Sequence, residues 1–301
     1  MPLVSDFNNL DTSKYKRFFV IGCSFTEWFW PTWANIIAED NPHLEFKQYT
    51  KPGCGNSYIS TLLNQLQHAE GLCETDLVGI MWSTFHRRDY YNSSQTNNLR
   101  ELIMNNDAPF HCNSSEAWHS HGDQIHSQLN SNTGGTNGFC DRGFLIRDLA
   151  IIDNTTTVIE NADYTAFEMF SVAPDQQQLY DPAILSRTHD DVLDMYKHLG
   201  NKMIAKTSLL TVLGGHYRNI TVKWTPPWAE RNSGVIEEDK HPSSSVYCQF
   251  LQSNGYTVTP ETIHNCINID AKIQHTAWAM DLQNDPDWKY HVSMHPPVWP
   301  L

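Results

Sequence analysis

A run of four apolar residues that leads into a glycine and a serine constrains this chain most strongly. Residues 18–21 are aromatic or β-branched, which is typical of a strand buried on both faces of a parallel sheet. Gly22 permits a sharp turn after this strand, and an amphipathic helical pattern begins at Trp33. Ser24 is therefore predicted to lie at the carboxyl edge of the sheet, where open α/β folds bind ligands. The commoner role of a serine at such a position is a helix N-cap.

Two further strands are predicted within the first 90 residues. An alternating pattern at 44–49 and a buried apolar run at 76–82 have the composition of strands. Between them, apolar residues from Ile59 to Leu66 recur at helical spacing. The resulting β-α-β-α-β order indicates an α/β fold with a parallel sheet and right-handed crossovers.

The remainder of the chain changes character twice. Residues 91–140 are rich in Asn, Ser, Gly and His with little periodicity, and 141–180 are ambiguous, with short edge strands expected. A helix at 192–203, a strand at 219–224 and a helix at 244–253 then continue the core pattern. We expect a core of 1–90 and 181–258, an insertion or lid at 91–180, and a C-terminal extension at 259–301 that wraps the core.

The charge of the chain restricts the class of partner. Its 301 residues carry a formal net charge of −14, from 20 Lys and Arg against 34 Asp and Glu. Nucleic acids and anionic membranes both attract basic surfaces, so we expect neither as the main partner. A neutral or cationic substrate, or a carbohydrate, fits this charge better.

The cysteines and the N-terminal residues bear on the cellular compartment. The 7 cysteines are scattered and form no Cys-x-x-Cys pair, which favours reduced thiols over disulfides or a zinc site. The first residues lack the apolar core of a signal peptide, and no segment reaches the length of a transmembrane helix. We therefore expect synthesis and folding in a cytoplasm.

The chemistry-bearing residues lie at predicted strand ends and in one late loop. A serine nucleophile needs a base to accept its proton, and the base needs a carboxylate to orient it. Asp239 and His241, two residues apart, can supply both from a single loop. Gly55, in a glycine-rich turn after the second strand, can offer a backbone N–H to an oxyanion. The sequence thus predicts an acyl-transfer site built on Ser24.

These stretches resemble the sequence blocks of the SGNH (GDSL-type) hydrolases, especially the divergent members from phages and marine bacteria. The matching stretches are Gly22-Cys23-Ser24-Phe25-Thr26, Gly53-Cys54-Gly55-Asn56, Trp82-Ser83-Thr84 and Asp239-Lys240-His241-Pro242-Ser243. The resemblance spans residues 17 to about 255 and has no counterpart for 91–180. It implies a three-layer α/β/α sandwich of flavodoxin-like type and cleavage of a small ester or O-acetyl group without a cofactor. The implied roles are nucleophile for Ser24, base for His241, orienting carboxylate for Asp239, and oxyanion donation by the Ser24 and Gly55 N–H groups.

The chain also departs from the pattern of that family. Cys23 replaces the usual aspartate before the serine, and the third block lacks its oxyanion-binding asparagine. Losing one oxyanion donor costs about 100- to 1000-fold in turnover in other enzymes. Asn56 is the candidate substitute for that donor. Glu238 is a rival to Asp239, because the family often spaces the carboxylate three residues before the histidine.

Aromatic and cationic residues near the predicted strand ends are candidate substrate contacts. Trp28 and Trp82 could stack on a sugar ring, and Arg88 could pair with an anionic group. Packing in the core or on a solvated surface is the commoner role of each. The alternative function is therefore a binding or structural protein on the same fold, for instance a phage particle component and hence virion-associated. The missing asparagine and the long insertion favour that alternative.

A group of imidazoles in the insertion has spacing that could bind a metal ion. A chain with 15 histidines clusters some of them by chance, and no helical i, i+4 pair frames these, so no metal cofactor is expected. The candidate ligands are His119, His121, Asp123 and His126.

Overall fold

The computed structural model describes residues 3–51, 53–83, 88–92, 117–121, 141–171, 241–275 and 285–290, with 194, 198–199, 202–203, 223–224 and 237–238. The strands among these residues are β1 Leu3–Val4, β2 Arg17–Gly22, β3 Glu45–Thr50, β4 Asp76–Trp82, β5 Arg88–Asn92, β6 Ala117–His121, β7 Thr165–Phe170, β8 Lys223–Trp224 and β9 Glu237–Glu238. The helices are α1 Trp33–Asp40, α2 Asn56–Glu70, α3 Asp141–Glu160, α4 Ser244–Ser253 and α5 Pro260–His275, with short 3-10 turns at Phe7–Asn9 and Thr12–Lys14.

The central sheet has five strands in the order β1-β7-β4-β2-β3, and every neighbouring pair in it is parallel. β3 lies on one side of β2, and β4 lies on the other. The chain therefore leaves β2 towards one edge of the sheet and later returns to build the other. In open α/β sheets, ligands bind at such a switch point, outside the carboxyl ends of the strands.

Helices cover both faces of this sheet, as two neighbouring residues of β7 show. Phe167 contacts Trp33 of α1, with ring centroids 5.8 Å apart. Glu168 accepts a hydrogen bond from Thr156 of α3 at 2.8 Å. Successive side chains of a strand point to opposite faces, so α1 and α3 lie on opposite sides. Because α4 and α5 pack with α1, and α2 packs with α3, the fold is a three-layer α/β/α sandwich.

The two central strands are buried on both faces, which explains their continuous apolar sequences. Residues 18–21 of β2 are fully buried, and every residue of β4 is buried. Gly79 lies in the middle of β4, and a Cβ there would come within 2.8 Å of Phe167 and 2.9 Å of Trp33. The missing side chain lets the Trp33 ring of α1 lie directly on the sheet.

Most of the predicted elements in the first 90 residues are confirmed. The strands at 18–21, 44–49 and 76–82 and the helix from Trp33 appear with shifts of one or two residues at their ends. The helix predicted at 244–253 is α4. The helix predicted at 192–203 lies largely outside the described residues.

The boundary between core and insertion differs from the prediction. Residues 141–171, expected in the insertion, contribute α3 and the parallel strand β7 to the core. Of the strand predicted at 219–224, the structure describes only β8, which pairs antiparallel with β9 outside the central sheet. The α3 sequence contains three consecutive threonines, whose β-branching disfavours a helix, and tertiary packing overrides that preference.

Two further expectations concern the cysteines and the membrane. Cys23, Cys54, Cys73, Cys248 and Cys266 are free thiols in the part of the chain that the structure describes. Among the helices of the described ranges, none is long and apolar enough to span a bilayer.

Candidate active site

Ser24 lies in a tight turn directly after β2. The Thr26 N–H donates to the Cys23 carbonyl at 2.8 Å, which puts Ser24 and Phe25 at the centre of the turn. A Cβ on Gly22 would overlap the Thr26 hydroxyl oxygen, so this turn requires glycine at that position. Ser24 thus follows the central strand that borders the switch point, as predicted.

The surroundings of Ser24 do not support the simpler role of a helix cap. The N-cap of α1 is Thr32, whose N–H donates to the side chain of Asn35 at 3.0 Å. Among the described residues, Ser24 has no hydrogen-bond partner for its hydroxyl or its backbone N–H. The residue is 3% exposed. Its hydroxyl and N–H are therefore both available to a bound substrate.

His241 reaches the same region from the far end of the sequence. Its imidazole stacks on Trp28 with ring centroids 3.6 Å apart and an interplanar angle of 21°. The ring of Phe25, the residue after Ser24, lies 5.4 Å from it. The Trp30 indole N–H donates to the Pro242 carbonyl at 2.6 Å across 212 residues. The fold therefore holds the predicted base against the turn that carries the predicted nucleophile.

The helix that follows His241 is anchored as well. The N–H groups of Ser244 and Ser245, at the start of α4, donate to the Asp270 carboxylate of α5 at 2.9 and 3.0 Å. A carboxylate at a helix N-terminus satisfies unpaired N–H groups and interacts favourably with the helix dipole. The chain that follows His241 is thus fixed at Pro242 and again at the start of α4.

The predicted orienting carboxylate falls at the limit of the described chain. Asp239 lies outside the described residues. Glu238 is the last residue of β9, and its position in that strand is all that the structure describes of it. Arg88 likewise is described only as the first residue of β5. All three roles remain predictions.

Gly55 begins α2, and its N–H already has an acceptor. It donates to one carboxylate oxygen of Asp89 at 2.8 Å, while the Tyr58 N–H donates to the other at 2.7 Å. Asp89 thereby binds the N-terminus of a 15-residue helix with both oxygens. Gly55 can serve an oxyanion only if this carboxylate moves away. Sequence reasoning missed Asp89, because it follows no motif and belongs to a different strand.

Asn56 is fully buried, and its amide is engaged in the protein interior. The amide nitrogen donates to the Ser83 carbonyl at 3.2 Å and to Asp148 at 2.9 Å, and its oxygen accepts from the Ser83 N–H at 2.8 Å. An amide has two N–H donors, so donation to an oxyanion would break one of these bonds. In this structure Asn56 joins the end of β4 to α3.

Two carboxyl groups of α3 and β7 are buried beside these residues. Asp148 pairs with the Arg147 guanidinium at 2.5 Å, yet burial outweighs this partner and raises the pKa of Asp148 to about 7. Burial also raises the pKa of Glu168 to about 7, with Thr156 and Trp82 donating to its oxygens at 2.8 and 2.9 Å. Both carboxyl groups therefore titrate near neutrality.

The aromatic substrate contacts expected from the sequence are both buried. Trp82 is fully buried, because its ring packs inside the sandwich and its N–H donates to Glu168. Within the part of the chain that the structure describes it belongs to the core, which disfavours the expected contact with a sugar ring. Trp28 is 3% exposed and faces His241 instead of solvent.

The candidate metal ligands lie in or beyond β6. His119 and His121 pair with Tyr90 and Arg88 of β5 in an antiparallel ladder. Asp123 and His126 lie outside the described residues. The described side chains include no group of three or more His, Cys, Asp or Glu residues that could hold a metal ion.

Solved structures that resemble this chain include two distantly similar proteins. No protein-family model matches the sequence, and no curated protein matches it significantly. A phospholipase A1 from Streptomyces albidoflavus aligns with TM-score 0.40 and 11% identity, over 80% of this chain and 99% of that one. An extracellular lipase from Streptomyces rimosus aligns with TM-score 0.36 and 11% identity, over 79% and 99%. At these TM-scores, the likeness carries no argument about this chain.

Proposed function

We propose that the protein is a serine hydrolase of the SGNH type that cleaves carboxylic esters. The observation that carries this proposal is the position of the His241 imidazole, which lies against Trp28 and Phe25 beside the Ser24 turn. A serine at the carboxyl end of a central strand and an imidazole next to it are the two groups that acyl transfer requires first. Both also match the family blocks that the sequence resembles.

In the proposed reaction, His241 accepts the proton of the Ser24 hydroxyl as its oxygen attacks the ester carbonyl carbon. The protonated imidazole then donates this proton to the leaving alkoxide, and an acyl-serine forms. The neutral imidazole then takes a proton from water, whose oxygen attacks the acyl carbon. As the bond from that carbon to Ser24 Oγ breaks, the imidazolium donates this proton to Oγ, so the carboxylic acid leaves and the hydroxyl is restored. Asp239, with Glu238 as its rival, orients the imidazole. All of these groups are protein side chains, so the reaction needs no cofactor.

The oxyanion of the tetrahedral intermediate needs N–H donors aimed at it. The Ser24 N–H has no partner among the described residues, which makes it the first candidate. The Gly55 N–H is the second candidate, and it becomes available when the Asp89 carboxylate leaves the N-terminus of α2. The cost of separating these two groups lowers the turnover expected of this site.

The proposed substrate is a small ester or the O-acetyl group of a carbohydrate. The net charge of −14 disfavours anionic substrates, whereas a neutral acetylated sugar meets no such repulsion. Contact of Trp28 or Arg88 with the sugar is part of this proposal. The described contact of the Trp28 ring is its stack on His241.

Hydrolysis of p-nitrophenyl acetate and acetate release from a peracetylated sugar test the proposal. Ser24→Ala and His241→Ala should each abolish both activities. Ser171→Ala is the matched control, since Ser171 follows β7 at the same sheet edge, is 1% exposed and has no partner for its hydroxyl among the described residues. Wild type that folds but cleaves neither substrate, or Ser24→Ala that keeps the wild-type rate, would contradict it.

A binding protein on the same fold is the second candidate function. Its support is the engagement of both second-block residues, because the Gly55 N–H bonds to Asp89 and the Asn56 amide bonds to Ser83 and Asp148. A protein that only binds a partner forms no oxyanion, so its Gly55 N–H and Asn56 amide can stay bonded within the protein. This candidate predicts that Ser24→Ala leaves binding of the partner intact.

A further inference from the structure

We propose that Trp28 is a positioning residue that holds the imidazole of His241 in the orientation needed to accept a proton from Ser24. The catalytic consequence of this inference rests on the proposed function. The packing on which it depends does not, and it can be tested without any activity.

The first step is the geometry of the stack. At 3.6 Å and 21°, the imidazole of His241 lies nearly parallel to the Trp28 ring and in van der Waals contact with it. The two nitrogens of an imidazole donate and accept in the plane of the ring, at its edge. A face-to-face stack therefore fixes the plane of the ring and leaves both nitrogens accessible to partners at its edge.

The second step is the backbone that directly follows His241. Trp30 is fully buried, and its indole N–H holds the Pro242 carbonyl at 2.6 Å. Trp28 and Trp30 thus hold the side chain of His241 and the main chain next to it. The two contacts act on different parts of the residue, since Trp28 contacts the imidazole and Trp30 the carbonyl of the next residue.

The third step is the support of Trp28 itself. Its ring meets those of Phe29 and Trp30 edge-on, with centroids 5.0 and 6.3 Å apart. The Trp288 indole N–H donates to the Phe29 carbonyl at 2.8 Å, and Ile273 of α5 completes the same buried cluster. Residues of the C-terminal region, Ile273 and Trp288, therefore pack against the aromatic residues 28–30 and support them.

The position of these residues in the sequence completes the argument. Ser24 and Trp28 belong to one short stretch that leaves β2, while His241 lies more than 200 residues away. The stack ties the distant base to the local segment that carries the nucleophile. Residues 25–30 thereby hold His241 and Pro242 against the segment that carries the nucleophile.

The kinetic test compares Trp28→Leu, Trp28→Phe and a matched control, Trp33→Leu. Trp33 is also fully buried, but it packs against Phe167 on the sheet. Trp28→Leu should lower kcat for p-nitrophenyl acetate by up to about 100-fold with KM little changed, because misplacing a catalytic group by roughly 1 Å costs that much. Trp28→Phe keeps a flat ring and should recover most of kcat. A Trp28→Leu kcat equal to that of Trp33→Leu would overturn the inference.

The spectroscopic test needs no activity. In protein labelled at its histidines, the ring protons of His241 should resonate upfield because they lie over the Trp28 ring, and the signal is assigned by its loss in His241→Gln. Trp28→Leu should move this signal downfield and leave those of His43, His68 and His264 in place. An unmoved His241 signal in folded Trp28→Leu, or in Trp28→Ala if the leucine variant does not fold, overturns the stacking. Absence of ester hydrolysis in a protein with the predicted shift would contradict the proposed function alone.

Discussion

The Asp89 carboxylate accepts a hydrogen bond from the Gly55 N–H, with the two atoms 2.8 Å apart. Its second oxygen accepts from the Tyr58 N–H, so one side chain of β5 neutralises the N-terminus of α2. This side chain holds the position that the oxyanion of a substrate would take if Gly55 were a donor. The contact stabilises the helix, and under the proposed function it would compete with the oxyanion for the Gly55 N–H.

Asp89→Ala should separate these two effects. Loss of a helix-capping side chain costs about 1 kcal/mol, and the melting temperature should fall accordingly. If Gly55 is an oxyanion donor, the rate of ester cleavage should rise, because its N–H becomes available. Thermal unfolding and initial rates on p-nitrophenyl acetate measure the two effects on the same samples.

Asp40→Ala is the control for the Asp89 variant. Asp40 likewise accepts hydrogen bonds at a helix start, from Thr259, which precedes α5, and from Thr262 within it. Asp40 is the last residue of α1, whereas Ser24 lies before the start of that helix. The Asp40→Ala variant should lose a similar amount of stability without a change in the rate of ester cleavage. A destabilised Asp89→Ala with an unchanged rate would remove Gly55 from the oxyanion hole.

Asn56→Ala distinguishes a structural amide from a catalytic one. The substitution removes the amide that accepts from the Ser83 N–H and donates to the Ser83 carbonyl and to Asp148, all in the protein interior. Asp148 keeps its pairing with Arg147. Each buried group left unpaired costs about 1–3 kcal/mol, so urea unfolding should show a large loss of stability. Asn64→Ala, on the exposed side of α2, should change stability little. A variant as stable as wild type but impaired in ester cleavage would assign Asn56 to the oxyanion hole instead.

Glu168 should make the stability of the protein depend on pH. Burial raises its pKa from 4.5 to about 7, so the folded state favours the protonated form. The raised pKa therefore adds to the free energy of unfolding. This addition is fully present below the pKa of the unfolded state and is lost as the pH rises through about 7. The loss is at most about 3 kcal/mol, since each unit of pKa shift corresponds to about 1.4 kcal/mol.

Glu168→Gln removes this titration while keeping hydrogen-bonding atoms for Trp82 and Thr156. Urea unfolding at about pH 5 and about pH 8 should show a smaller difference in stability for this variant than for wild type. Asp148, buried with a similar pKa, should retain part of the dependence in both proteins. The exposed Glu261→Gln is the control. An unchanged difference in Glu168→Gln would contradict the assignment.

The sequence predicts local structure well where burial fixes the pattern. β2 and β4 are buried on both faces, so their apolar runs identify them, and the turn at Gly22 follows from its glycine. β7 was missed because the buried Glu168 interrupts its apolar run. α3 was missed because its threonines disfavour a helix that packing against α2 nevertheless stabilises.

In the candidate site, too, local sequence patterns identify some residues and miss the contacts between distant ones. Ser24 and His241 could be named from their motifs, since each follows a recognisable turn or loop signature. The stack of Trp28 on His241 and the bond from Gly55 to Asp89 join residues far apart in the chain. No local pattern encodes such contacts, because they depend on how the connections around the switch point pack together. The burial of Trp82 likewise follows from the sheet and not from its motif.

Covalent labelling of the folded protein by a fluorophosphonate probe tests the central claim most directly. The account predicts a single adduct by intact mass on wild type and on Ser171→Ala, and none on Ser24→Ala or on His241→Ala. Such a result would identify an activated serine at position 24 and a base at position 241. A folded wild type that takes no adduct, or an adduct that persists in Ser24→Ala, would contradict it.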